Sequence, residues 1–150
     1  NDYFIFERNL PLKFENALHM NLQIISVPSG AFDLDDRIQN MLKASMLDFT
    51  KLEGTLEEAF DEEDAEGSDE KYYLYFEYPG LRTAHGRQTI RLLVKVPKES
   101  NTNHLMQLGR VMVCELLGAR EKANWKACEL TKDEEVAIVN RVSPILMKYK

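Results

Sequence analysis

The sequence predicts an α+β domain: two β-hairpin-plus-helix units and an additional C-terminal helix, packed as a single two-layer body. Three observations carry that expectation. "KYYLYFEY" and "IRLLVKV" alternate with a period of two, several later and earlier stretches place apolar residues at helical spacing, and an apolar strand runs into proline twice, as "LQIISVPSG" and "RLLVKVPKE".

The second hairpin is the most sharply written element pair. Tyr72, Leu74, Phe76 and Tyr78 fall on one face and Tyr73, Tyr75 and Glu77 on the other; Ile90, Leu92, Val94 and Val96 then oppose Arg91, Leu93 and Lys95 in the same way. Pro79-Gly80 and His85-Gly86 supply turn chemistry between them. A helix follows, with caps offered by Ser100 and Thr102, a stripe at Leu105, Leu108, Met112 and Leu116, and Gly118 placed to end it. Thr131 to Glu134 reads as a capping box ahead of Val136, Val139, Val142 and Leu146, in a helix whose last turns Pro144 should kink or fray. Trp125, between the two helices, is expected to anchor that segment to the core.

The first half follows the same template. Sliding Tyr3 onto Tyr72 brings Val27-Pro28 onto Val96-Pro97, with four of 26 overlaid positions identical. Such an overlay fits an internal duplication and also fits two unrelated hairpins that each end in proline. The helix after the first hairpin draws its stripe from Leu34, Ile38, Leu42, Met46 and Phe49, with Asp33 or Asp35 as cap, and Leu52, Leu56 and Phe60 extend the pattern past Gly54. Between the halves, residues 57–71 hold nine acidic side chains. A like-charge block of that density cannot bury enough apolar surface to offset its ordering entropy, so residues 61–70 are expected to be a flexible insertion within one domain spanning 1–150.

Composition narrows the class. With 44% hydrophobic and 29% charged residues in 150, the chain has the usage of an ordinary globular domain. No apolar run approaches the ~20 residues that cross a bilayer, and the first residues lack a secretory pattern. A chain opening on Asn1 is expected to be a processed product or a piece of a longer protein. Two isolated cysteines, Cys114 and Cys128, form no disulfide framework and favour an intracellular, reducing compartment, most simply the cytoplasm. The net charge of −6 works against nucleic acid and anionic lipid as partners.

Catalytic and cofactor motifs are absent from the sequence. There is no GxSxG, and Cys114 lies on an apolar helix, where a buried inert thiol is expected. His19, His85 and His104 stand in different elements without ligand spacing, and the acidic run placed on a calcium loop puts Tyr73 where a bidentate glutamate belongs. "VPSGAF" and "VPKESN" lack the glycines of a phosphate loop, and Asp33, Asp35 and Asp36 suit helix capping and the helix dipole. No catalytic, cofactor-binding or metal residue is therefore assigned.

One face invites a partner. Tyr73 and Tyr75 share a side of the hairpin with Arg91 and Lys95, an aromatic-basic set that a protein partner or a second copy could use; RNA stacking is the weaker expectation, given the charge. The expected function is a non-enzymatic protein-protein interaction domain, an assembly, adaptor or chaperone-like module, by an analogy of size and element order that no motif supports. The alternative is a small-ligand or enzymatic domain with its site between the halves, near Asp33, Arg82 and His85.

Overall fold

A computed structural model of the chain describes residues 2–10, 21–29, 34–61, 71–84, 86–98, 100, 102–124, 126 and 129–149. One antiparallel sheet organises it. Strands β1 (Asp2–Asn9) and β2 (Asn21–Val27) pair first, helix α1 (Leu34–Ala44) follows, and a two-residue strand β3 (Thr50–Lys51) and a short helix α2 (Leu56–Asp61) precede β4 (Tyr73–Thr83) and β5 (Gly86–Lys95). A 3-10 turn at Leu105–Gln107 leads into α3 (Leu108–Leu116), and α4 (Lys132–Leu146) comes last. The strand order β2-β1-β4-β5-β3 joins the two predicted hairpins through their first strands, with Phe6 opposite Phe76.

The core lies on the face that the alternation predicts. Phe4 and Phe6 of β1 meet Leu74, Phe76 and Tyr78 of β4 and Leu92 and Val94 of β5, while Ile38 and Leu42 of α1 and Met112 and Leu116 of α3 cover them. Aromatic rings knit the centre: Phe6 and Phe76 lie 5.2 Å apart in a tilted pair, and Phe4 and Tyr78 stack at 6.4 Å. Leu105, Leu108, Met112 and Leu116 are buried as their spacing requires, and the Cys114 thiol is buried with them.

Helix ends follow local chemistry. At α3, Gly118 adopts φ +65° while its N–H donates to the Glu115 carbonyl and that of Ala119 donates to Cys114, a left-handed stop that satisfies two orphan carbonyls. At α4 the predicted capping box is complete: the Thr131 hydroxyl accepts from the Glu134 backbone, and the Glu134 carboxylate accepts from the Thr131 N–H at 2.8 Å. The helix continues through Pro144 and loosens into a 3-10 turn at Met147–Tyr149.

Three expectations need correction. The first helix does not extend through Leu52 and Phe60; it stops at Ala44, because Met46 takes a left-handed conformation and the chain turns back to form β3 and α2. Pro79-Gly80 is no turn: β4 runs on to Thr83, absorbing the proline at a register shift between Pro79 and Arg82, where Arg87 Nε donates to the Gly80 carbonyl at 2.6 Å. The overlay of the halves keeps Ile25 and Val27 in phase with Val94 and Val96. It slips at the first strands, setting core-facing Phe4 on Tyr73, which faces the other way. Trp125, Cys128 and the acidic residues 62–70 lie outside the described residues.

Candidate interaction surfaces

Tyr73, Tyr75, Arg91 and Lys95 do share one face of the sheet, as alternation requires, but the chain itself covers much of it. Leu93, also on that face, is 1% exposed and Tyr75 only 9%. The cover comes from the segment between β3 and β4. A capping box at Thr55 and Glu58, written "TLEE" and missed in the sequence, starts α2, whose Phe60 is buried against Tyr73 with ring centroids 5.8 Å apart. The ammonium groups of Lys71 and Lys95 stand over the same ring at 5.4 and 5.2 Å. Arg91 pins the loop before α2, donating to the Glu53 carbonyl at 2.9 Å and the Gly54 carbonyl at 3.1 Å.

The two tyrosine hydroxyls are also engaged. Tyr73 donates to the Glu7 carboxylate across the β1-β4 ladder, and Tyr75 donates to Glu77 at 2.6 Å. Burial first, then the hydrogen bond and charge of the neighbouring carboxylate, push both phenol pKa values well above the ordinary tyrosine value. Both rings thus stay neutral donors that fix the sheet's second face.

Surface of a different kind lies elsewhere. In α4 every residue from Lys132 to Leu146 is exposed, including Val136, Ile138, Val139, Val142, Ile145 and Leu146, and Met147 follows at 67%. At 100° per residue the six side chains within α4 spread over about half of the helix circumference, an arc that leaves out Arg141 and takes in Glu135 and Lys132. On the edge strand β2, Leu22 is 54% and Ile24 68% exposed.

A groove of about 750 Å³ opens between α1 and β5. Asp35 and Asp36 line one side and Gln88 to Arg91 the other; Asp33 and His85 lie outside the described residues, as does the Arg82 side chain. Asp35, Lys51 and Arg91 within the groove are committed to structure. Burial opposes the Asp35 charge, but donors from Gln39 at 2.6 Å and Tyr78 at 2.7 Å, with the Lys51 ammonium at 3.4 Å, outweigh it and hold the carboxyl below the usual aspartate range. Among the described residues no group of histidine, cysteine and acidic side chains could hold a metal ion, and no helix is long and apolar enough to cross a membrane. No family model matches the chain, and neither curated proteins nor solved structures yield a match to it.

Proposed function

We propose that this chain is a non-enzymatic protein-protein interaction domain, an assembly, adaptor or chaperone-like module, and that α4 is the element it offers to a partner. The observation that carries the reading is the unburied apolar side of α4. A helix with six large apolar side chains in water leaves a surface that the rest of the described chain does not cover, and an exposed apolar patch of this kind is the usual mark of an interface. Anchors at Val139, Val142 and Leu146 follow the three- and four-residue spacing with which a helix enters an apolar groove.

A ligand-binding reading draws on the groove beside Asp35. Three of its charged side chains, Asp35, Lys51 and Arg91, already bond within the fold, which leaves them less able to orient a small molecule.

Photo-crosslinking tests the proposal. A crosslinker at Val139 should capture a defined protein in cells, while one at Arg141, on the opposite side of α4, should not. Val139→Asp should then abolish binding of the purified partner without changing the melting temperature. Equal capture from both positions, or none, sinks the reading.

A further inference from the structure

We infer that β2 is a self-pairing edge: two copies of the chain join antiparallel, β2 against β2, into one continuous ten-stranded sheet. The observation is independent of α4. In the sheet order β2 pairs only with β1, so its outer row of backbone N–H and C=O groups has no strand partner among the described residues. An edge of seven residues with exposed Leu22 and Ile24 is long and apolar for a monomer, and monomers protect such edges with charge, proline, a bulge or a very short strand.

β2 has none of these: "NLQIISV" contains no charge and no proline, and its ladder with β1 runs from Asp2 opposite Val27 to Arg8 opposite Asn21 without a bulge. The opposite edge closes with a strand of two residues, one of them Lys51, continued by the Leu52 N–H donating to the Arg91 carbonyl at 2.9 Å. One edge is guarded and the other is left open.

The occupant that fits is a second copy. Two-fold pairing sets each residue against itself or its mirror image, so a charge at the centre would meet its own like charge; a net charge of −6 makes that condition strict. β2 is the strand that meets it. Centred on Ile24, the pairing sets Ile24 on Ile24 and Leu22 on Ser26 on the outer face, and Gln23 on Ile25 on the core face. It consumes the β2 edge of each chain, so pairing through this edge stops at two.

Sedimentation of the full chain and its variants decides the matter. The unmodified chain should sediment at twice the chain mass at micromolar concentration, and Ile24→Lys, at an exposed position, should return it to a single mass with its fold, read by circular dichroism, intact. Val139→Asp on α4 should leave the dimer unchanged, which separates this edge from the proposed partner surface. Directly opposed Cα atoms in an antiparallel pair are about 4.5–5.5 Å apart, within disulfide reach. Ile24→Cys should therefore cross-link under copper-phenanthroline beyond the level of the unmodified chain. Ser26→Cys should not, because four residues at ~3.4 Å each separate its copies. A monomeric unmodified chain, a ladder of larger species, a dimer that survives Ile24→Lys, or no cross-link at position 24 overturns the pairing.

Discussion

A Cβ built on Gly109 would lie 2.2 Å from two ring carbons of Phe6, so the backbone of α3 rests directly on an aromatic side chain of β1. Phe6 cannot give way freely, since it is fully buried in the core with the Phe76 ring centroid 5.2 Å from its own. Helix propensity alone favours alanine over glycine by up to ~1 kcal/mol, but overpacking a tight core costs roughly 1–3 kcal/mol. Gly109→Ala should therefore lower the urea midpoint. An unchanged or raised midpoint would mean that α3 can lift off β1 without loss.

Stability should fall in acid through Asp35. Its carboxylate accepts from the Tyr78 hydroxyl at 2.7 Å, tying the buried middle of β4 to the first turn of α1. Because the folded pKa lies below the unfolded one, the contribution is full above the ordinary aspartate value and is lost as pH falls through the folded value. Asp35→Asn should lower stability at neutral pH and flatten the acid limb of a stability-pH curve. An identical acid limb in the variant would refute the assignment.

The hairpin faces, the α3 stripe and the α4 capping box were legible because each is a local pattern: period two, period 3.6, or a four-residue box. Leu93 and Tyr75 show where locality ends. Their alternation places them on the face away from the core, yet they are buried, because α2 and the loop held by Arg91 fold back over β5 from about forty residues upstream in the chain. No period within β4 or β5 encodes that cover. "TLEE" could have announced α2 as a separate helix, but the stripe reaching back to Leu34 and the acidic run after it masked the signal. Met46 fits the α1 stripe by spacing and is nevertheless 93% exposed. Backbone termination at Ser45 and Met46 overrides the side-chain pattern.

That termination supplies a stabilising substitution. Met46 sits at φ +55°, where its N–H donates to Lys43 and the following Leu47 N–H donates to Leu42, the arrangement that glycine serves at the end of α3. An L side chain in this region costs roughly 1–2 kcal/mol, and glycine returns about 0.5–1 kcal/mol of that as chain entropy. Met46→Gly should raise stability by up to ~1 kcal/mol, and Met46→Ala, which keeps the Cβ, should not. Equal stability of both variants would remove backbone strain as the cause.

The second face of the sheet gives the last test, because covered and open faces predict opposite outcomes for Tyr75. An open face would make Tyr75→Ala nearly neutral for folding. With the ring buried and its hydroxyl on Glu77, truncation should instead cost about 3–5 kcal/mol, the range for deleting a large aromatic from a core. Tyr75→Phe separates the components: it keeps the packing and removes one hydrogen bond to a half-buried carboxylate, for about 1 kcal/mol. Phe60→Ala should approach the cost of Tyr75→Ala, since it strips the α2 cover from Tyr73, while Lys95→Ala, exposed beside the same ring, should cost under ~1 kcal/mol. Chemical denaturation of the four variants orders them. Were Phe60→Ala and Tyr75→Ala both as mild as Lys95→Ala, α2 would not be docked on the sheet, and Tyr73, Tyr75, Arg91 and Lys95 would again form an open surface for a partner.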